Sequence, residues 1–471
     1  MRRHTQQTHT SQPLQRCISP ACGESFDIGE HAYVCLRCGG PLEIEFDLAA
    51  VAAPALKDSW EARAASKQPC DRSGVWRYRE LLPFADGAPV VTLYEGNTPV
   101  YEAPRCAQYC GLGRLHLKHL GCNPTGSFKD LGMTTALTQA KILGARTVVC
   151  ASTGNTAASM AAYAARAAID AVILVPQGQI SAAKLAQSMD YGAGILQIEG
   201  NFDAAMRLVQ DLAADRSIYV ANSMNPFRIE GQKTAAFELL IQHDWRVPDH
   251  VVVPGGNLGN SAALAKGFGE LRGLGLIDCL PKLSVVQAKG AAPLANLFSS
   301  LDPRERNACG DALPGAIIPA ENPQTLATAI RIGTPVSWRK SLRGVLRSGG
   351  QVLAVTESEI ADAKAMIGRD GIGCEPASAT TVAGIRKMAA AGYIGREDVV
   401  VAILTGHVLK DPDYVSRYHL GALALEPQVQ GEAAQPIAGA FRNEPQTIRA
   451  AKSAVLSAIE RRRAIRHLSS R

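Results

Sequence analysis

The sequence predicts an α/β protein whose sheets are largely parallel. Runs rich in β-branched residues, such as 147–151 and 251–253, alternate with longer runs of helical apolar spacing, such as 156–168 and 261–274. Alternation of this kind is typical of parallel strands whose connecting helices cover both faces of a sheet. Polar motifs follow several of the predicted strands, at the carboxyl ends where such sheets bind ligands. We therefore expect a ligand site at the strand ends.

Length and composition indicate a globular enzyme rather than a membrane or disordered protein. At 471 residues the chain is too long for one small core, so we expect two or more packed units. Its 46% hydrophobic and 20% charged residues are ordinary for a globular enzyme, and no apolar run could cross a membrane. Residues 1–14 are polar and lack the apolar segment of a secretory signal. We therefore expect a cytoplasmic protein without a membrane partner.

The positive charge is concentrated at the C-terminus. Residues 441–471 contain eight Lys or Arg against two Asp or Glu, a surplus of six that equals the net charge of the whole chain. The rest of the chain is close to neutral, so we expect no nucleic-acid partner. Ile448, Ala451, Val455 and Ile459 have helical spacing, which favours a packed amphipathic helix with a basic outer face over a partner-binding tail.

Four cysteines near the N-terminus have the spacing C-x4-C, twelve residues, C-x2-C: Cys17, Cys22, Cys35 and Cys38. Four thiolates can close a tetrahedral structural zinc site that leaves no open position for catalysis. The first pair is widely spaced and contains Pro20, so a β-ribbon held only by strands near 32–34 and 42–46 is the alternative. Because the segment carries little basic charge, we interpret it as an appendage.

A lysine motif, residues 121–130, lies between a predicted strand at 114–118 and a predicted helix at 133–143. Lys129 therefore sits where a turn becomes a helix. Proximity to the positive end of the helix dipole and partial burial both lower a lysine pKa and free the amine for carbonyl chemistry. The alternative is a solvated lysine in the first turn of a helix.

Three further polar motifs follow predicted strands. Residues 152–156 offer hydroxyls and backbone N–H groups to a carboxylate or phenolic oxygen, unless they only cap a helix. Residues 253–260 carry three glycines that can close around a phosphate, with a spacing that fits neither the dinucleotide nor the ATP motif. A glycine-rich turn without a ligand is the alternative there. Thr405 can hydrogen-bond a ring nitrogen without ionising, and the adjacent His407 can equally be a packed histidine.

A reactive lysine, a phosphate loop, an Asn-bearing turn and a terminal Thr together predict a pyridoxal phosphate site. These residues resemble those of the threonine synthase family, and most closely its plant-type branch. The resemblance covers roughly residues 17–415 in matching order, through the segments 75–83, 95–99, 121–130, 152–156, 222–226, Arg228, 230–234, 253–260, 374–379 and 405–412.

The resemblance implies a fold and a reaction. The fold is that of fold-type-II, tryptophan-synthase-β-like pyridoxal phosphate enzymes, arranged as a homodimer. The reaction is the last step of threonine biosynthesis, in which O-phospho-L-homoserine and water give L-threonine and phosphate. The same resemblance leaves related enzymes such as cysteate synthase or threonine dehydratase as alternatives. A non-catalytic regulator of this fold is less favoured, because a binding protein needs no reactive lysine.

The resemblance also assigns site residues. Lys129 forms the Schiff base beside Phe128, Asn155 contacts the pyridoxal 3′-oxygen, and Thr405 meets the pyridine nitrogen. The cofactor phosphate is assigned to Gly255, Gly256, Asn257, Leu258 and Gly259. The carboxylate and phosphate of the substrate are assigned to Ser152, Thr153, Asn225 and Arg228. Arg228 suits the phosphate because a guanidinium can bind two oxygens at once.

These observations divide the chain into five predicted segments. They are a disordered tail (1–16), a zinc-ribbon-like segment (17–48), a linker with some helix (49–74), the catalytic core (75–424) and a basic C-terminal helix (425–471). Within the core, a mobile subdomain of about residues 130–230 is expected to close over the substrate.

Overall fold

The computed structural model describes residues 12–177, 182–200, 202–307, 313, 315–427 and 433–468. The chain forms two compact units, residues 1–412 and 413–471. The strands are β1 (Leu14–Cys17), β2 (Ser25–Asp27), β3 (Leu42–Glu45), β4 (Val100–Glu102), β5 (Leu115–His119), β6 (Thr147–Ala151), β7 (Asp170–Pro176), β8 (Gly194–Ile198), β9 (Ile218–Val220), β10 (His250–Pro254), β11 (Lys282–Ala288), β12 (Val352–Val355), β13 (Val400–Leu404), β14 (Ala424–Leu425) and β15 (Gln435–Pro436).

Helices connect most of these strands. They are α1 (Leu56–Ala64), α2 (Pro104–Cys110), α3 (Lys129–Ile142), α4 (Asn155–Ala167), α5 (Ala182–Asp190), α6 (Phe202–Leu212), α7 (Phe227–Gln242), α8 (Gly259–Gly273), α9 (Pro293–Ser300), α10 (Pro303–Asn307), α11 (Trp338–Ser348), α12 (Glu357–Arg369), α13 (Pro376–Ala390), α14 (Pro412–His419) and α15 (Lys452–Leu468). Among the described residues, none of these helices is both long enough and apolar enough to cross a membrane.

The larger sheet has the strand order β12-β11-β10-β13-β5-β4. All neighbouring strands are parallel except β4, which pairs antiparallel to β5 at one edge. The five residues of β10 are all buried, as expected for a strand covered on both faces. The predicted parallel α/β architecture is confirmed.

The smaller sheet, β8-β7-β6-β9, is entirely parallel and lies within the segment predicted to be mobile. Helices α3 and α7 pack closely against each other beside it. A Cβ atom on Gly231 would lie 1.8 Å from the Leu131 carbonyl oxygen, so only glycine permits this approach. The tight contact joins the helix that begins at Lys129 to the helix that carries Arg228.

The N-terminal segment forms a three-stranded antiparallel sheet in the order β2-β1-β3, called the cysteine ribbon below (residues 14–45). The predicted tail boundary at residue 16 is wrong, because Leu14 already pairs with Asp27 and Glu45. Residues 1–11 of that predicted tail lie outside the described residues. The strand predicted near 32–34 is reduced to one bridge, between Val34 and Pro41.

The predicted linker at 49–74 is a packed part of the larger core. It contains α1, whose Trp60 is fully buried and stacks on Phe237 with ring centroids 5.3 Å apart. The Ala-rich composition of the segment gave no indication that its one aromatic residue would be buried.

In the second unit, β14 pairs with β15, and α15 is the only long helix among its described residues. The helix predicted over 425–471 therefore starts later, at Lys452, after Pro436 and Pro445, whose rings interrupt helical hydrogen bonding. Val455 and Ile459 are 43% and 41% exposed, so the predicted packing of this apolar stripe is not observed.

Candidate active site at the strand ends

The lysine motif and the segment after β13 lie side by side. The Phe128 N–H donates to the Thr405 carbonyl over 2.9 Å, and the His407 N–H donates to the Gly126 carbonyl over 2.9 Å. These two bonds make a short antiparallel pairing next to the carboxyl end of the larger sheet. The structure thus brings Lys129 and Thr405 together, as the sequence predicted.

Lys129 is the first residue of α3 and is half-buried. Burial, followed by the nearby Arg228 guanidinium, lowers the pKa of its ammonium to about 7, while the Glu375 carboxyl acts in the opposite direction. Its Nζ atom lies 4.3 Å from the centroid of the Phe128 ring. A lysine in this setting has a large neutral fraction at neutral pH, which a nucleophilic amine requires.

Glu375 links two of the predicted cofactor residues. Its buried carboxyl accepts hydrogen bonds from Asn155 Nδ2 over 2.9 Å and from Thr405 Oγ1 over 3.0 Å. Burial raises the pKa of this carboxyl. A Cβ atom on Gly406 would lie 2.3 Å from the Glu375 Cδ atom, so the carboxyl rests directly on a glycine backbone.

Sequence reasoning gave Glu375 no role. A Glu-Pro pair before an apolar helix looks like an ordinary helix start, with Pro at the first helical position. The only available signal was the position of Glu375 inside the 374–379 segment that resembles the family.

The glycine loop connects β10 to α8. The Gly255 N–H donates to the Val286 carbonyl over 2.7 Å, and a Cβ atom there would lie 2.7 Å from Gln287 Cγ. Leu258 adopts a left-handed conformation, with φ of 64°, immediately before the helix. The first backbone N–H groups of α8 therefore follow a tight loop at the end of β10. Backbone N–H groups at the start of a helix are suited to bind a phosphate.

Asn257 has its side chain engaged by neighbouring segments. Its Nδ2 donates to Ser223 Oγ over 2.5 Å, and its Oδ1 accepts from the Val336 N–H over 2.7 Å. Phosphate binding by this loop would therefore depend on backbone groups, with the Asn257 amide holding the loop in place.

Arg228 is 2% exposed and lies one residue into α7. Its Nη1 donates to the Ala221 carbonyl over 3.0 Å, while its buried Nε has no hydrogen-bond partner in the described structure. Burial lowers the pKa of the guanidinium to about 10. A buried cation with unused donors near Lys129 is well suited to bind an anionic group.

The other predicted substrate residues differ in their availability. Asn225 uses both ends of its amide locally, since Nδ2 donates to the Val220 carbonyl over 2.8 Å and Oδ1 accepts from the Phe227 N–H over 3.0 Å. Ser152 and Thr153 are partly exposed at the carboxyl end of β6, and Ser152 Oγ accepts from the Gly154 N–H over 3.2 Å. Asn225 thus anchors its segment, whereas Ser152 and Thr153 are partly accessible to solvent.

A second set of polar residues, which the sequence did not predict, forms hydrogen bonds with the lysine motif. The buried Asp130 carboxyl accepts from Thr125 N–H (2.7 Å), Thr125 Oγ1 (2.6 Å) and Ser159 Oγ (2.6 Å), and burial raises its pKa to about 6. Lys410 Nζ donates to Gln187 Oε1 over 2.5 Å, and Gln187 Nε2 donates to the Thr125 carbonyl over 3.1 Å. These bonds tie the motif to α4 and α5 of the smaller sheet.

The four predicted zinc ligands cluster in the cysteine ribbon, with all four Sγ atoms within 4.8 Å of one another. The Sγ atoms of Cys17 and Cys38 are 3.5 Å apart, and those of Cys22 and Cys35 are 3.7 Å apart. Tetrahedral zinc with bonds of about 2.3 Å separates its sulfur ligands by about 3.8 Å. The arrangement fits a four-thiolate zinc site despite the wide first pair.

Comparison with known proteins identifies the family. A family model described as pyridoxal-phosphate dependent enzyme matches residues 91–406. A threonine synthase of Methanocaldococcus jannaschii is 47% identical over 86% of this chain and 94% of its own length. This chain belongs to the threonine synthase family. A threonine synthase of Mycobacterium tuberculosis is 46% identical over 71% of this chain and 88% of its own length.

Solved structures agree on the fold. A serine racemase of Dictyostelium discoideum has a TM-score of 0.53 at 23% identity, over 66% of this chain and 92% of its own. A fungal L-serine ammonia-lyase of Rhizomucor miehei has a TM-score of 0.56 at 18% identity, over 69% of this chain and 98% of its own. The predicted family and the fold-type-II architecture are thereby confirmed. Pyridoxal phosphate is the cofactor of this family.

Proposed function

We propose that the protein is a threonine synthase that converts O-phospho-L-homoserine and water into L-threonine and phosphate. The observation that carries this proposal is the 47% identity to a threonine synthase along 94% of that protein's length. The site geometry is consistent with it, because a lysine of lowered pKa lies near a buried arginine with unused donors. An enzyme of this class is a carbon–oxygen lyase acting on a phosphate ester.

The cofactor would be held at four points. Lys129 would bind it through the ε-amine, and the loop from Gly255 to Gly259 would bind its phosphate through backbone N–H groups other than that of Gly255, which donates to the Val286 carbonyl. Asn155 would meet the 3′-oxygen, and the neutral hydroxyl of Thr405 would meet the pyridine nitrogen. When bound, pyridoxal phosphate supplies an electron sink that delocalises negative charge from the reacting carbons of an amino acid.

Lys129 would also move the protons. Its free amine would take a proton from the α carbon and transfer protons at the β carbon. A pKa of about 7 allows the amine to act as a base and its conjugate ammonium as an acid near neutral pH. Phosphate leaves from the γ carbon, and water adds at the β carbon.

Substrate binding would rely on charge and on hydroxyl donors. Arg228 would bind the phosphate of O-phospho-L-homoserine, and Ser152 and Thr153 would bind its carboxylate, with Asn225 keeping their neighbouring segment in place. Closure of the smaller sheet over the substrate would exclude all water except the reacting molecule. The homodimer implied by the resemblance and the cytoplasmic location expected from the sequence stay predictions.

The cysteine ribbon would bind one structural zinc ion through Cys17, Cys22, Cys35 and Cys38. Four thiolates leave no open position on the metal, so the ion would stabilise the ribbon and take no part in the reaction.

The test is the formation of threonine and inorganic phosphate from O-phospho-L-homoserine by the pyridoxal-phosphate-loaded enzyme. Equal amounts of both products, lost in Lys129→Ala, are expected. Lys141→Ala is the matched control, because Lys141 is an exposed lysine at the other end of α3. Formation of 2-oxobutanoate, or of a sulfonate from phosphoserine and sulfite, in place of threonine would instead favour a dehydratase or a cysteate synthase.

A further inference from the structure

Tyr33, a residue of the cysteine ribbon, is inserted into the core of the smaller sheet. It is 5% exposed and packs among the buried residues of that core. Its ring meets the Tyr219 ring edge-on, with centroids 5.7 Å apart. His31 stacks on Tyr219, with centroids 5.6 Å apart and an interplanar angle of 14°, and its ring also lies 5.3 Å from that of Tyr33. The ribbon therefore reaches β9, the edge strand that contains Tyr219.

The Tyr33 hydroxyl takes part in two hydrogen bonds. It accepts from the Val220 N–H over 2.8 Å and lies 2.7 Å from His31 Nε2. A hydroxyl oxygen can accept one hydrogen bond and donate its proton to another group. The hydroxyl can then donate to the imidazole while it accepts from the backbone.

The end of β9 is also where Asn225 and the proposed phosphate ligand Arg228 are anchored. Asn225 Nδ2 donates to the carbonyl of Val220, the residue whose N–H meets Tyr33. Arg228 Nη1 donates to the carbonyl of the next residue, Ala221. A shift of this strand end would therefore displace Asn225 and Arg228 together.

The opposite side of the ribbon is fixed to the helices of the larger sheet. Lys340 of α11 donates to the Leu42 carbonyl, and Lys266 of α8 donates to the Ile44 carbonyl. Arg343 of α11 forms an ion pair with Glu43. Helix α8 begins at the glycine loop, which is the proposed phosphate-binding segment. The ribbon therefore contacts a helix of that segment through β3 and contacts β9 through Tyr33.

We propose that Tyr33 is a positioning residue for substrate binding, which fixes the end of β9 from which Asn225 and Arg228 are anchored. This inference rests on the proposed function, in which Arg228 binds the substrate phosphate. The ribbon is then a working part of the substrate site rather than the appendage that its sequence indicated.

The experiment compares Tyr33→Phe with Tyr393→Phe in the holoenzyme. Tyr393 is the matched control, because its hydroxyl also forms a hydrogen bond with the backbone, donating to the Gly349 carbonyl away from the site. Leaving the buried Val220 N–H unpaired is expected to raise KM for O-phospho-L-homoserine about tenfold, with kcat changed by less than about twofold. The cofactor absorbance spectrum should not change, and amide hydrogen exchange should accelerate at residues 220–228. Tyr393→Phe should change none of these quantities.

An unchanged KM and unchanged exchange at 220–228 in Tyr33→Phe would overturn the proposal. So would a loss spread evenly over kcat, cofactor binding and exchange throughout the chain, which a merely structural tyrosine would produce. If Tyr33→Phe fails to fold, His31→Asn replaces it, with a smaller KM increase and the same local exchange as the expected result. If the wild type makes no threonine, the proposed function has failed. Amide hydrogen exchange at residues 220–228 of the wild type and of Tyr33→Phe, with and without inorganic phosphate, then tests the role of Tyr33 by itself.

Discussion

The Glu375 carboxyl accepts a hydrogen bond from the Asn155 side-chain amide over 2.9 Å. Asn155 begins the first helix of the smaller sheet, and Glu375 immediately precedes α13 on the larger sheet. Because the other carboxyl oxygen accepts from Thr405, one buried side chain joins the two residues proposed to meet the 3′-oxygen and the ring nitrogen of the cofactor. We expect the alignment of the two sheets at the site to depend on this contact.

Replacing Glu375 tests that dependence. Glu375→Ala leaves both the Asn155 amide and the Thr405 hydroxyl without their partner, and we expect cofactor affinity to fall about tenfold or more. Glu375→Gln keeps the shape and at least one hydrogen bond, so a loss of about threefold or less is expected. Absorbance titration with pyridoxal phosphate measures both. Equal affinities for the alanine variant and the wild type would contradict the positioning role.

The reactivity of the Lys129 amine should depend on the charged residues near it. Arg228 lowers the pKa of Lys129 and Glu375 raises it. The rate of cofactor attachment to the cofactor-free protein should therefore rise with pH through about 7 and level off above it, as the amine loses its proton.

Two substitutions should move that midpoint in opposite directions. Arg228→Gln removes a nearby positive charge, so the ammonium becomes easier to keep and the midpoint moves to higher pH. Glu375→Gln removes a nearby negative charge and moves it to lower pH. Stopped-flow absorbance measures both, with the exposed Arg331→Gln as control. Shifts in the same direction would show that charge does not set the pKa of Lys129.

Asp130 should stabilise the folded chain through its three short hydrogen bonds. Asp130→Ala leaves the Thr125 N–H, the Thr125 hydroxyl and the Ser159 hydroxyl unpaired in a buried site, at an expected loss of about 2–4 kcal/mol. Asp130→Asn should lose about half as much, because the amide oxygen still accepts. Urea unfolding measures the free energies, with the exposed Asp278→Asn as control. A loss for Asp130→Ala no larger than that of the control would refute this account.

The four-cysteine site predicts how many zinc ions each chain binds. One zinc ion per chain is expected in the purified protein, and Cys35→Ser should lose it, because three thiolates bind the ion far more weakly than four. Cys279→Ser, at an exposed cysteine outside the cluster, should retain it. Metal analysis by mass spectrometry decides, and a wild-type protein that remains metal-free after exposure to zinc would exclude the site.

The sequence predicted those parts of the site that local sequence motifs mark. Lys129, the loop from Gly255 to Gly259, and Thr405 each follow a predicted strand, and strand ends converge in a parallel sheet. What the sequence could not predict depends on contacts between distant residues. Tyr33 meets Val220 across 187 positions, and nothing in the local sequence of either residue marks the pair.

Local periodicity was also the source of the main errors. The apolar spacing from Ile448 to Ile459 suggested a packed helix, yet the helix begins only at Lys452, and its residues Val455, Leu456 and Ile459 are exposed. Periodicity registers which residues could share a face but carries no information on whether another surface covers that face. In the 49–74 segment an Ala-rich, polar composition suggested a linker, although Leu56 and Trp60 are buried in the larger core.

The most direct test of the proposed reaction is the reaction in water enriched in oxygen-18, with both products analysed by mass spectrometry. Elimination of phosphate from the γ carbon followed by addition of water at the β carbon predicts one heavy oxygen in the threonine hydroxyl and none in the released phosphate. Heavy oxygen in the phosphate, with homoserine as the other product, would mean cleavage of the phosphorus–oxygen bond. That result would contradict the threonine synthase reaction at this site.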